Sequence, residues 1–339
     1  MNQPLISIVI PAYNTEALIV SALESVLAQD YENIEIIVVN DASTDGTGDA
    51  ARDVLADGAR PYKVIDHDRN RGVSAARNTG MSVAAGKYIT FFDSDDTIDS
   101  DYVSILQKAI SDDDADLAVC GYRNEYLADG RVELCPLDIP KGADISVEFA
   151  ERIIRGSIDI YYGASLYRMD LLVNNEIKFA EGCEFGEDAE VFIEAVSMSR
   201  RTVLLSGCHY AYRIHEKMNT RTGHISHERN VKRYTDFNQG RIRAGHYVTR
   251  HSKIKKLVDA AQYDLLPRYY LKMFTMHAWR GDKEAFFADL RSPKIRDIIL
   301  SGRRAFLKSP DIFLKCLWLM TLPNTYFEYR RRHIYRYNS

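Results

Sequence analysis

Residues 91–101 read FFDSDDTIDSD, and Asp93, Asp95, Asp96, Asp99 and Asp101 crowd in directly behind two phenylalanines. Like charges this close repel, and ionised carboxylates beside apolar surface are poorly solvated. Such a cluster is stable as a solvated turn with Asx hydrogen bonds, or around a cation. Asp93, Ser94 and Asp95 form an Asp-x-Asp. Its carboxylates suit a hard divalent ion, Mg2+ or Mn2+, that keeps positions open for phosphate oxygens. In PAYN (11–14), Pro11 fixes the backbone and Tyr13 offers a ring to a planar base. In NDASTDGT (40–47), Asp41 can accept from a base N–H or a ribose hydroxyl, or merely close a loop. No GxxxxGK[ST] or GxGxxG motif is present in these loops, so a diphosphate would be met by metal and cationic side chains. A second acidic pair, Glu187-Asp188, opens the helix-like GEDAEVFIEAVSMS. A carboxylate there stays ionised readily because the helix dipole favours the anion, and plain capping is the alternative.

Positioning these groups takes a sheet. LISIVI (5–10), IEIIVV (34–39), YKVID (62–66) and KYITFF (87–92) are short apolar runs that predict strands. Between them lie three helical segments: one capped by Thr15 with Leu18, Ala22 and Val26 on one face, one beginning GTGDAARDVLA, and one over 72–86 ending at a glycine cap. Strands alternating with helices imply a doubly wound, mostly parallel α/β sheet, which binds ligands beyond the carboxyl ends of its strands. Asn14, Asp41, Asp68 and Asp93 all fall just past strand ends. Further on, the pattern predicts a helix over 102–111, a strand in ADLAVCGYRNEY, a hairpin through Asp129-Gly130, helices at SVEFAERIIRG and GEDAEVFIEAVSMS, and a strand over 202–215. From about residue 226 the chain reads as mainly helical, basic and aromatic.

SIVIPAYN, VVNDASTDGT, NRGVSAARNTG and FFDSDD, in this order over residues 7–96, resemble the family 2 glycosyltransferases of the GT-A fold. The resemblance continues more loosely through KFAEGCEFGEDAEVF to YAYRIH, and so covers about the first 215 residues. It implies a Rossmann-like catalytic domain over 1–215 that binds a nucleotide sugar, most often a uridine diphosphate sugar. The mainly helical region 216–339 is left for acceptor, membrane or oligomer contacts. On these residues it implies that Pro11, Ala12, Tyr13 and Asn14 frame the nucleotide and Asp41 reads the base. Asn70 and Arg77 line the pocket. Asp93, with Ser94 in the same motif, lies near ribose and sugar hydroxyls, and Asp95 holds the metal at the diphosphate. Asp188 is implied as general base, with Glu187 beside it. Arg213 and His215 approach the diphosphate, and His215 is a second candidate metal ligand. Direct displacement with one carboxylate base gives inversion, whereas retention needs a nucleophile on the opposite face, which the sequence does not show.

The 339 residues carry a formal charge of −4. Residues 1–199 hold 15 Lys+Arg against 37 Asp+Glu, while residues 200–339 hold 29 against 11. A basic half suits an anionic partner, or simply solvated helices. No groove-reading motif favours nucleic acid. His209, His215, His224 and His227 do not have HExxH spacing. The five cysteines are odd in number, widely spaced and free of CxxC, which fits a reducing cytosol without disulfides. MNQPLISIVIPAYN is too short in its apolar run for a signal peptide, and no stretch reaches membrane-spanning length. Near the C-terminus, Phe313, Leu314, Leu317, Trp318 and Met320 precede Arg330, Arg331, Arg332 and Arg336. That segment fits an anionic membrane surface or a core helix with a solvated end.

The sequence therefore predicts an inverting, Mn2+- or Mg2+-dependent enzyme. It would move a sugar from a UDP-sugar to a hydroxyl of a glycan or polyprenyl-linked glycan in surface polysaccharide synthesis. The expected location is cytoplasmic, with room for peripheral attachment to the inner face of the membrane and for a homo-oligomer. A sugar nucleotidyltransferase would need a glycine-rich, basic loop where IPAYNTE stands. A non-catalytic scaffold of the same fold would have no use for a base at Asp188.

Overall fold

The structure, a computed structural model, describes residues 3–139, 145–158, 160–215, 227–301 and 310–333. It divides into two compact units, Met1–Phe149 with Ile158–His224, and Ala150–Ser157 with Ile225–Ser339.

The first unit is built on one sheet. Its strands are β1 (Ile6–Ala12), β2 (Ile34–Asn40), β3 (Tyr62–Asp66), β4 (Tyr88–Phe91), β5 (Thr97–Ile98), β6 (Leu117–Tyr126), β7 (Val132–Cys135), β8 (Ser165–Arg168) and β9 (Thr202–Ile214). The order is β3-β2-β1-β4-β8-β6-β9-β5, with β7 added to β6 as the expected hairpin. The helices are α1 (Glu16–Leu27), α2 (Thr47–Ala56), α3 (Val73–Val83), α4 (Tyr102–Asp113), α5 (Ile145–Arg155, which runs into the second unit), α6 (Met169–Val173) and α7 (Glu187–Met198).

Strands β1 and β2 are buried along their whole length, as continuous apolar runs in a two-sided parallel sheet must be. β1 extends two residues beyond the expected run, through Pro11 and Ala12. Its register with β4 stops at Val9, so only β2 flanks Pro11 and its missing N–H is tolerated. The parallel half ends at β4. There β8, which the sequence did not betray, runs antiparallel to both β4 and β6, so the sheet is mixed. With only four residues, β8 carries too little alternation to read.

Helix α3 also differs from expectation. It stops at Val83, and Gly86 is not a left-handed cap. Gly86 instead presses on β1, where a Cβ would lie 2.5 Å from Ser7 Oγ. Its N–H donates to that oxygen at 2.9 Å, and Ser7 in turn donates to the buried Glu35 at 2.6 Å. The glycine marks a close approach, which gives the same sequence signal as a cap.

The second unit is helical, as expected. It holds α8 (His227–His251), α9 (Lys255–Ala260), a π-helical turn (Ala261–Leu265), α10 (Leu266–Arg280), α11 (Lys283–Arg291), α12 (Pro293–Ser301), α13 (Pro310–Thr321) and α14 (Pro323–His333). Phe274, Phe286 and Phe327 form its core in edge-to-face pairs with centroids 5.1 Å apart. The buried Asp264 on the π turn is clasped by Arg155 at 2.8 Å and Arg268 at 2.6 Å, so its charge is paired. The C-terminal segment packs one face of its helix into the core, as one of the two readings expected. Ile312, Cys316 and Leu319 enter the core with Trp318 and Met320 against it, while Leu314 and Leu317 face outward. His224 and Arg336 lie outside the described residues. Among the described residues no helix is long and apolar enough to cross a membrane.

Candidate active site

The site lies at the carboxyl ends of β1 and β4 in the first unit. After β1 the chain turns through Asn14 at φ 53°, a left-handed conformation that asparagine tolerates. Asn14 N–H donates to Ser43 Oγ at 3.1 Å, and Asn14 Oδ1 accepts from Thr44 N–H at 2.8 Å. These bonds bolt the β1–α1 loop to the β2–α2 loop and leave Tyr13 46% exposed. Thr15 ties the same loop to the acidic cluster through Ser94 Oγ at 3.1 Å.

The acids behind β4 are not equivalent. Asp95 turns toward His215 at the end of β9, with Oδ2 and Nε2 3.1 Å apart. Asp93 accepts from Arg77 Nη2 at 2.8 Å, and its other oxygen lies 2.9 Å from Tyr161 OH. Asp96 points inward and is only 1% exposed. Tyr161 OH and Tyr210 OH each lie 2.8 Å from its Oδ2, and Arg213 N–H donates to Oδ1 at 2.9 Å. Burial, then the charges of Asp95 and Asp93, push the Asp96 carboxyl well above the usual range. The Tyr161 hydroxyl lies within hydrogen-bond reach of both Asp96 and Asp93 and so links the buried acid to the cavity wall.

Helix α3 brings in the arginine. Its buried face is Ser74, Ala75, Ala76, Arg77 and Gly80, small enough for the helix to lie close on the sheet. Arg77 donates Nη1 to Glu187 at 2.6 Å and Nη2 to Asp93, joining the acidic cluster to the start of α7. Burial opposes the Arg77 charge, but Asp93, Glu187 and Asp188 outweigh it and hold the guanidinium more firmly protonated. Burial and the neighbouring Asp188 push Glu187 up to about 7 against the pull of Arg77. Asp188, half-buried, accepts from Ala189 N–H at 2.6 Å in the first turn of α7, after Gly186 in the left-handed conformation (φ 79°).

A cavity of about 650 Å³ opens among these groups. Of the sequence-predicted residues, Tyr13, Asn14, Arg77, Asp93, Asp95, Asp188 and His215 line it. Pro11 and Ala12 are buried in β1, and Ser94 is buried behind the cluster. Arg213 does not line the cavity, since its Nη1 donates to Ser21 Oγ on α1 at 2.7 Å. Asp41 is 2% exposed, and it accepts from Gly72 N–H at 2.7 Å and Arg71 N–H at 2.9 Å while His67 Nδ1 lies 2.6 Å away. It organises the turn that carries the exposed Asn70, and neither residue is on the cavity wall. The sequence reading missed Tyr161 and Tyr212, both on that wall, with rings 4.9 Å apart. Tyr212 had one available signal, its two-residue spacing from Tyr210 along β9, which places both on one face.

A divalent ion fits Asp95 with His215. The pair offers one hard oxygen and one imidazole nitrogen at the cavity, whereas both oxygens of Asp93 already have protein partners. The one group of three metal-capable side chains among the described residues lies elsewhere, at Asp99, Asp101 and His209. Arg123 holds Asp99 there at 2.9 Å, so a cation already occupies that carboxylate.

The family model described as glycosyl transferase family 2 matches residues 7–171. The chain is 33% identical to the putative glycosyltransferase EpsH of Bacillus subtilis over 223 residues, 63% of this chain and 62% of that protein. It is 31% identical to glycosyltransferase GlyG of Streptococcus pneumoniae over 218 residues, 62% of this chain and 70% of that protein. The chain spans about six-tenths of EpsH and 30% of another relative, GlyA of S. pneumoniae. Among solved structures, S. aureus TarS 1–349 in complex with UDP-GlcNAc superposes with a TM-score of 0.67 at 19% identity, covering 95% of this chain and 92% of that one. The mannosyltransferase PcManGT of Pyrobaculum calidifontis, in complex with GDP-Man and Mn2+, gives 0.56 at 18% identity, with 95% and 88% covered. These likenesses agree with the expected GT-A fold.

Proposed function

The chain belongs to glycosyl transferase family 2, and from that premise we propose that it is an inverting, metal-dependent glycosyltransferase taking a UDP-sugar donor. One observation carries the reading. The Asp95–His215 pair and the acidic start of α7 open into the same cavity, with Arg77 between them. A transferase needs these two functions, a site for the diphosphate and a base for the acceptor, within one pocket.

Asp95 and His215 would hold Mn2+ or Mg2+, which supplies charge neutralisation for the departing diphosphate. Tyr13 and Asn14 frame the nucleotide at the cavity mouth, and Asp93, fixed by Arg77 and Tyr161, meets donor hydroxyls. Asp188 takes the proton of an acceptor hydroxyl. That oxygen attacks the anomeric carbon from the face opposite the diphosphate. The carbon–oxygen bond to the diphosphate breaks with its electron pair on the leaving oxygen, and configuration inverts. Arg213 and Asp41 act through other residues, Arg213 by fixing Asp96 and Asp41 by fixing the Arg71–Gly72 backbone.

The acceptor we propose is a glycan or polyprenyl-linked glycan of surface polysaccharide synthesis, in keeping with the name of one relative, the succinoglycan biosynthesis protein ExoO of Rhizobium meliloti, 30% identical over 234 residues. The five free cysteines suit a reducing, cytoplasmic setting. The test is UDP release from a set of UDP-sugars, with and without Mn2+. Metal-dependent release from one or a few donors supports the reading, and no release from any UDP-sugar with any acceptor glycan removes it.

A further inference from the structure

Residues 177–186, between α6 and α7, form no helix or strand, yet this stretch leads straight into a wall of the cavity. Glu184, Phe185, Gly186, Glu187 and Asp188 line it in succession. One face of α3 holds the stretch in place. Ser74, Arg77 and Asn78 are three and four residues apart and so share a side of that helix. Ser74 Oγ donates to the Cys183 carbonyl at 3.3 Å, and Arg77 reaches Glu187 at 2.6 Å. Asn78 makes the two-point hold. Its Oδ1 accepts from Phe179 N–H at 3.0 Å, and its Nδ2 donates to the Phe179 carbonyl at 2.9 Å. The side-chain amide thus pairs with both backbone polar groups of one residue, as an antiparallel neighbour strand would. The Arg71–Glu181 ion pair beside it is solvent-exposed and adds little.

The residue so pinned supports the site from behind. Phe179 is buried, and its ring meets Phe91 of β4 edge-on with centroids 4.7 Å apart. The Arg77 guanidinium lies over the same ring, 5.2 Å from its centroid. We propose that Asn78 is a positioning residue for the transfer reaction: by pinning Phe179 it sets the path of residues 179–187 and so the place of the Asp188 carboxylate on the cavity wall. Helix α7 is buried along most of its length, so its axis is fixed by its own packing. The clamp decides where the chain enters the first turn, through the left-handed Gly186, and that turn carries Asp188. A reacting group must be held to a fraction of an ångström, and an irregular stretch holds one only when its backbone is fastened. The inference rests on the reading of Asp188 as the base.

The test joins kinetics to hydrogen exchange on the full chain. Asn78→Ala removes both bonds at Phe179, and the Phe179 amide then exchanges at least about tenfold faster while the amides of β1 keep their protection. The kcat for transfer falls about 10–100-fold, as a displaced base requires. Affinity for UDP with Mn2+ stays within about twofold, because Asp95 and His215 lie on other elements. In an Asp188→Asn background the same substitution costs less than about twofold, since the group it positions is already gone. Unchanged kcat beside faster Phe179 exchange makes the clamp structural only and overturns the proposal. Equal losses in the two backgrounds, or UDP affinity falling in step with kcat, overturn it too. Asn78→Asp keeps the volume and the acceptor for Phe179 N–H but loses the donor, and it gives the same split should the alanine variant not fold. A parent chain that transfers no sugar fails the transferase reading and this inference with it, whereas an active parent indifferent to Asn78 fails this inference alone.

Discussion

Asp95 Oδ2 and His215 Nε2 lie 3.1 Å apart although 120 residues separate them in sequence. One side chain leaves the loop behind β4 and the other ends β9, so the contact exists only because the sheet brings those strand ends together. Both line the cavity. Calorimetry of UDP with Mn2+ should show weaker, less metal-dependent binding for Asp95→Ala and for His215→Ala. In a double-mutant cycle the second substitution should add little to the first, since each alone breaks the same ligand pair. Additive losses would separate the two residues.

Tyr161 is the hinge between the cavity and the buried acid. Its hydroxyl touches both Asp93 and Asp96, and Phe retains the ring while removing that link. Tyr161→Phe should cost about 1–3 kcal/mol in urea unfolding, as a buried carboxyl loses a partner. It should also raise the donor KM through a less firmly held Asp93. A variant as stable as the parent with an unchanged donor KM would contradict this role.

Arg77 carries two buried charge-assisted bonds, to Asp93 and Glu187. Arg77→Met leaves both carboxylates without their cation and should cost about 3–5 kcal/mol, as breaking one side of a buried pair does. Arg77→Lys should recover little of it, because a point charge cannot bridge two carboxylates as a planar fork can. Full recovery by lysine in urea unfolding would show that charge alone suffices.

Glu187 gives a pH signature. Its carboxyl is pushed up to about 7, chiefly by burial and Asp188, so between its unfolded value and about 7 the folded state holds the extra proton. Its contribution to stability is complete below the unfolded pKa and is lost as pH rises through about 7. Glu187→Gln has no proton to lose. Thermal unfolding of the two proteins should therefore be most alike near pH 4.5. The variant should gain on the parent as pH rises to about 7.5. A constant difference across that window would mean that Glu187 titrates normally.

The sequence made the first half of the sheet legible because β1, β2 and β4 are unbroken apolar runs closed by polar loops. It also located the two acidic ends of the cavity, since Asp93, Asp95 and Asp188 sit in compact motifs. What it missed follows from physics that leaves little local trace. β8 is four residues long and β5 is two, and both are defined by their neighbours. Tyr161 is placed by contacts to Asp93 and Asp96, 68 and 65 residues away, with no local pattern to mark it. Arg213 and Asp41 have the residue types that a nucleotide site wants, yet their partners are Ser21 in one case and the Arg71–Gly72 backbone in the other. Only coordinates separate a side chain that faces the cavity from one that supports it.

The central claim is that Asp188 is the base, and the most direct measurement compares Asp188→Asn with the parent chain for donor binding and for transfer. The substitution keeps the size of the side chain and removes its basicity. The account predicts donor affinity within about twofold of the parent, and transfer slowed by about 10²–10⁴. Turnover near the parent rate would contradict it and remove Asp188 as the base.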